Sequence, residues 1–274
     1  MSTTPRALLP VVIIAAIIAA AALWWTMFRP APQAPAASAP AAAPGNPKPV
    51  AAPAESVIQY PVEASGEAPP LEAADIGAAL TDLLGRKAVL SFLELDDFPR
   101  RFVATVDNLA RSHAPPMLWP INPTPDRFMV EERAGGPIIS ADNSLRYTPL
   151  VLLAEAVDAG NAVDLYIRMY PLLQRAYEQL GYPKRYFNDR LIEVIGQLLA
   201  TPDADEPIKV QLTEVKGSVA SVRPWVRYEF ADPALESLSA GQKILLRVGS
   251  VNERRLKAKL AVIRQELIKR VKPR

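Results

Sequence analysis

An uncharged apolar run from Leu8 to Phe28 limits what this chain can become before any other residue is considered. The segment LLPVVIIAAIIAAAALWWTMF holds no Asp, Glu, Lys, Arg, His, Asn or Gln. As a helix at about 1.5 Å per residue it reaches roughly 31 Å, the thickness of a bilayer's hydrocarbon core. It therefore predicts one transmembrane helix over 8–28, with Trp24 and Trp25 at a headgroup end. Residues 1–7 form a short tail with Arg6, and beyond the run only Arg29 and Lys48 precede Glu55. The charge bias is nearly balanced, and so short a tail is the easier end to leave inside. The expected orientation is N-terminus in, remainder out. A cleaved signal peptide, cut near Ala19 to Ala22, is the competing reading, but the run continues further than a signal peptide needs. Either version puts the rest of the chain outside the cytoplasm. The sequence contains no cysteine, which removes cysteine lipidation and disulfides.

Residues 29–70 read as a disordered linker. Eleven prolines fall between Pro30 and Pro70, among many alanines and few charges, a composition that favours extended polyproline II and buries no core. Residues 71–274 are then long enough for one domain. Helix signals dominate it. Leu71 to Leu84 is periodic and stops at Gly85; Asp96-Asp97 and Pro99 open a helix to about Arg111. On that helix Phe98, Phe102, Thr105, Val106 and Leu109 share a face, placing Arg100, Asp107 and Arg111 in water and Arg101 and Asn108 at the margin. Further helices are expected after Asp142-Asn143 and Thr148-Pro149, over Asn161 to Leu180 with a bend at Pro171, and from Asn188 to Ala200. Three more follow, a short one after Asp232-Pro233, then Ala240 to Val248 and about Val251 to Val271. Strand pieces at Phe128 to Glu131 and Ile138 to Ser140 flank Gly135-Gly136, and a second pair lies at Ile208 to Leu212 and Trp225 to Phe230. The expected fold class is α+β, a predominantly helical domain with two small β-hairpins, preceded by one transmembrane helix.

The inventory of reactive side chains is thin. His113 is the one histidine, and no nucleophile elbow accompanies Ser112. One histidine and no cysteine do not make a nitrogen and sulfur zinc site, and Asp203-Ala204-Asp205-Glu206 lacks the spacing of a calcium loop. No glycine-rich phosphate loop is present, so neither cofactor nor metal is expected. A glycosidase-type carboxylate pair is open to a chain with 29 Asp and Glu, but nothing selects the pair. Tyr166, Tyr170, Leu173, Tyr177 and Leu180 form a helical stripe that reads as core. Loop aromatics among amides and arginines suit a sugar or peptide ligand. The candidate contact residues are Arg101, Asn108, His113, Trp119, Asn143, Arg146, Tyr147, Asn188, Asp189 and Arg190.

From Lys243 onward eleven Lys and Arg face two acids, a net of +9 in a chain whose total is +2. The last helix aligns Leu256, Leu260, Ile263, Leu267 and Val271 on one face. A basic amphipathic helix fits an anionic lipid surface; alternatively its apolar face packs on its own domain. Nucleic acid is disfavoured by compartment.

Four stretches carry a resemblance: RRFVATVDNLARSHAPPMLWP (Arg100 to Pro120), DNSLRYTPL (Asp142 to Leu150), YPLLQRAYEQLGY with YFNDRLIEVI (Tyr170 to Ile195), and LSAGQKILLRVG (Leu238 to Gly249). They resemble a bacterial family known as domain of unknown function 3014. Where that pattern has proline after Asn-Leu, this chain has Ala110, which lets the helix run slightly further. The resemblance implies a membrane anchor, a proline-rich linker and one soluble domain, and it brings no activity, cofactor or catalytic residue. The expectation is a single-pass protein of the bacterial inner membrane, N-terminus cytoplasmic and domain periplasmic. It would bind an envelope protein or the cell wall without catalysis, a wall-polymer hydrolase with paired carboxylates being the alternative.

Overall fold

Each strongly periodic stretch after residue 70 becomes a helix, and the packing among helices decides which faces are buried. The structure, a computed structural model, describes residues 58–62, 69–203, 207–213 and 223–271. The expected membrane span at 8–28, the tail 1–7 and most of 29–70 lie outside the described residues. Among the described residues no helix is long and apolar enough to cross a membrane.

A 3-10 turn at Ala73–Asp75 leads into α1 (Ile76–Leu84), which stops at Gly85 before α2 (Arg86–Phe92). α3 (Phe98–Leu109) carries Pro99 in its first turn, where a missing N–H costs nothing. It ends at Leu109 and not further on, with the Arg111 N–H closing a final turn on the Asn108 carbonyl. A 3-10 stretch at Ala141–Arg146 precedes α4 (Thr148–Ala156). α5 (Ala159–Gln179) is capped by Asp158, whose carboxylate accepts the Asn161 N–H at 2.8 Å, and it carries Pro171 within its length. α6 (Phe187–Leu199), α7 (Pro233–Glu236), α8 (Ala240–Arg247) and α9 (Ser250–Arg270) complete the series. α8 opens on a capping box, Ser239 and Gln242 bonding each other's backbone N–H.

α5 is the hub, packed by α1, α3, α6 and α9. Tyr166, Tyr170, Leu173 and Tyr177 are buried, as their spacing predicts. Leu180, expected on the same stripe, is 39% exposed because it lies one residue past the helix end. On α3 the expected face needs correction. Asp107, placed in water by the periodicity, is only 3% exposed and is buried beside Val103, Ala104 and Val106. α3 touches α5, α6 and α8, so one apolar stripe does not describe what it buries.

The apolar stripe of α9 packs against α4, α5 and α6. Leu267 and Val271 are buried, and Leu256, Leu260 and Ile263 join the main core half-buried. Its cations reach the C-terminal ends of its neighbours. Lys257 donates to the Thr201 carbonyl at 2.6 Å, just past α6, and Lys259 donates to the Glu155 and Val157 carbonyls that end α4. Positive charge at these carbonyls complements the helix dipoles.

Two antiparallel hairpins supply all the strands among the described residues. β1 (Val130–Arg133) pairs with β2 (Gly136–Ile139), two residues further along than the alternation suggested for the first strand. β3 (Val210–Leu212) pairs with β4 (Tyr228–Phe230). An antiparallel bridge between Ile138 and Lys209 joins the two hairpins. Ile208, Val210, Phe230 and Leu246 form a second, smaller core beneath them. Two glycines fix how closely this end packs. A Cβ on Gly241 would lie 2.5 Å from the Leu198 Cδ2 and 3.1 Å from the Leu109 carbonyl, so α8 approaches α3 and α6 only with glycine there. Gly249, between α8 and α9, has φ +88° and faces the Ser144 Cβ.

Candidate functional site

The candidates at the start of α6 meet a segment assigned by composition to the linker. The Asp189 carboxylate accepts the Gln59 N–H on one oxygen (3.0 Å) and the Tyr60 N–H on the other (2.8 Å). The Asn188 amide donates to the Tyr60 carbonyl at 2.9 Å, and the Val62 N–H donates to the Tyr186 hydroxyl at 2.6 Å. Pro61, between them, has no N–H to offer. Packed chain therefore begins before the boundary expected at residue 71. Behind the contact, Asn188 is fully buried, and its Oδ1 accepts the Tyr166 hydroxyl at 2.9 Å. The Tyr170 hydroxyl accepts the Asn188 N–H (3.4 Å) and donates to Gln174 (3.0 Å). Burial, with the neighbouring Tyr186 and the charge of Asp189 adding, pushes the Tyr166 phenol well above its ordinary range. Tyr170 is raised likewise, chiefly by burial, so both stay neutral donors.

Next to this lies the buried carboxylate of Asp107. One oxygen accepts the Arg190 Nε at 3.1 Å; the other accepts Arg111 at 2.6 Å and the Tyr182 hydroxyl at 3.2 Å. Arg190 also donates to Glu193 and to the Asp107 carbonyl. Burial works to lower the Arg190 pKa, but Glu193 and Asp107 outweigh it and leave it raised. Arg111 is raised by its hydrogen bond and charge contact with Asp107. Tyr177, stacked on Tyr182, is pushed up to about 12 by burial, with the charge of Asp107 adding.

A separate cluster sits beside the hairpins. Asn143 is fully buried, accepting from the Met129 N–H and from Arg146 and donating to the Arg247 carbonyl. Arg146 donates to the Pro125 and Asp126 carbonyls, both at 3.0 Å, and lies over the Tyr147 ring. Its guanidinium thus clasps the proline-dense loop. Arg101 does the same further back, donating to the Asp96 and Met117 carbonyls at 2.8 and 2.7 Å. Trp119 packs there with a buried indole N–H that finds no acceptor. Asn108 donates to the Ala104 carbonyl of its own helix at 2.8 Å, and His113 is exposed.

The ten candidates therefore fall into separate groups. Asn188, Asp189 and Arg190 come together; Asn143, Arg146 and Tyr147 form a second group; Arg101 and Trp119 a third; Asn108 and His113 join none. A cleft of about 380 Å³ opens between β1, β2 and the start of α9, with Arg133, Ser140 and Arg247 on its walls, and none of the ten lines it. Among the described residues no three His, Cys, Asp or Glu are grouped to hold a metal. Asp107, Arg111, Tyr182, Tyr186 and residues 59–62 are among the participants that the candidate set omits. The one sequence signal for Asp107 is its i,i+4 spacing from Arg111.

Fold and site together define a helix-rich α+β domain whose polar clusters hold its own loops and its own N-terminal segment. The chain belongs to the family described as protein of unknown function (DUF3014), which matches residues 98–264, from the start of α3 into α9. No curated protein and no solved structure matches the chain.

Proposed function

We propose that this chain is a single-pass, membrane-anchored envelope protein whose domain serves as a non-enzymatic binding or scaffolding module on the periplasmic side of the inner membrane. The anchor rests on the uncharged run 8–28 and the orientation on the short tail before it. The observation that carries the rest is where the ligand-type side chains point. Arg101, Asn143, Arg146, Asn188, Asp189 and Arg190 all hydrogen-bond to the chain's own backbone or side chains. Such bonds make a rigid body at the end of a tether, which suits a module that presents a fixed surface to another envelope protein or to the wall.

Extraction of membranes with alkaline carbonate tests the anchor: the full chain is expected in the pellet, and release into the supernatant would overturn it. Protease added to spheroplasts is expected to digest the domain, whereas protection would reverse the orientation. The full chain in detergent, incubated with purified wall, is expected to sediment with it or to be crosslinked in membranes to one recurrent protein. Release of soluble wall fragments would sink the non-enzymatic reading.

A further inference from the structure

The contact between residues 59–62 and the start of α6 has the form of a peptide held by a receptor. Every backbone N–H in the segment is bonded by a side chain of the domain, and the one position left out is the proline, which has none. Asp189 takes two successive N–H groups, Asn188 takes the carbonyl between them and the proline, and Tyr186 takes the last N–H. Asn188 and Tyr186, two of the three receiving residues, have partners in the core apart from the segment. Tyr166 and Tyr170 orient Asn188 from the core, and Tyr170 packs against the Tyr186 ring at 5.3 Å between centroids. A site fixed by its own buried hydrogen bonds keeps its geometry when empty, which is what lowers the cost of refilling it. The segment is lightly held by comparison. Ile58 and Gln59 are exposed, and Val62 supplies the packing on the main core. Segments with few buried apolar contacts open locally at low free energy.

We propose that the start of α6 is a binding site for an extended peptide of the pattern Gln-Tyr-Pro-Val, filled in cis by this chain's residues 59–62 and in trans by the same segment of a second copy. Recognition is by backbone: two adjacent N–H groups, a proline, then a third N–H. The site stands independently of where the chain is anchored.

The test uses two full-length variants in detergent. Gln59→Pro with Tyr60→Pro removes two donors from the segment and leaves the site intact; Asp189→Ala removes the site's acceptor and leaves the segment intact. A labelled synthetic peptide of residues 56–63 (SVIQYPVE) is followed by fluorescence anisotropy. It is expected to bind the first variant at least tenfold more tightly than the unaltered chain, where the cis segment competes at about millimolar effective concentration. Adding Asp189→Ala to the first variant is expected to abolish that binding. No binding to the first variant, with its thermal unfolding unchanged, would overturn the site. Mixing the two variants is expected to give a heterodimer on sedimentation that neither forms alone. Peptide binding without a heterodimer would overturn the second copy as the occupant.

Discussion

At the scale of single residues, the heaviest electrostatic commitment is Asp107. Its carboxylate is almost wholly buried, while its partners Arg190 and Arg111 keep 20% and 52% of their side-chain exposure. Removing the acid leaves guanidiniums that can partly rehydrate, so Asp107→Asn is expected to cost about 2–3 kcal/mol in urea unfolding, below the range for a fully buried pair. Arg111→Ala is expected to cost only about 1 kcal/mol, because Arg190 remains and Arg111 is half in water. Glu236 gives a pH signature. Burial works to raise its pKa, but the Lys243 ammonium at 2.7 Å and the Phe230 N–H at 2.9 Å outweigh it and hold the carboxyl below its ordinary value. The unfolded chain then binds more protons in the window below about pH 4.3, the ordinary glutamate value. This contribution is present above that pH and is lost as pH falls through the folded pKa. Glu236→Gln is expected to flatten the fall in thermal stability between neutral and acid pH; an unchanged slope would remove the assignment. Of these features the sequence shows the tyrosine stripe, because helical spacing alone places it. It conceals Asp107, because a carboxylate three neighbours deep is set by contacts between helices distant in sequence.

At the scale of elements, most helices are legible and their ends are not. Asp232 marks the start of α7 well, since the cap is a local hydrogen bond, whereas Asn161, expected to open α5, lies two residues inside it. The 3-10 turns at Ala73–Asp75 and Ala141–Arg146 are less legible, because the same residues suit either kind of helix. Glycines separate local preference from packing. Gly196 in α6 has open space where a Cβ would go, so Gly196→Ala is expected to stabilise by about 0.5–1 kcal/mol. Gly241→Ala offers the same helix gain but drives a methyl into Leu198 and the Leu109 backbone, and is expected to destabilise by about 1–3 kcal/mol. Chemical denaturation of the two variants checks both signs. If Gly241→Ala also stabilised, the close approach of α8 to α3 would be wrong.

At the scale of the whole molecule, the basic C-terminal region is bound into the fold. The apolar side of α9 is covered by α4, α5 and α6, and Lys257 and Lys259 sit on the ends of α6 and α4. A fragment from residue 58 onward is therefore expected to stay unbound in flotation with anionic vesicles at low salt. The remaining exposed cations, Arg254 among them, contribute only about 1 kcal/mol each at a surface. Flotation that salt reverses would show that a cationic face alone suffices. The candidate site was only partly legible at this scale. Asn188, Asp189 and Arg190 are neighbours in sequence and stay together, but their partners at 59–62 and at Asp107 are about 130 and 83 residues away.

What the sequence determined by itself is what depends on near neighbours: the uncharged run long enough for a bilayer, the helix starts, the tyrosine stripe and the two hairpin pairs. Tertiary structure alone decided which way α3 turns Asp107, what the cations of α9 touch, and that Gln59 to Val62 dock on α6. Those outcomes rest on hydrogen bonds and contacts between elements far apart in the chain, whose partners no local periodicity names.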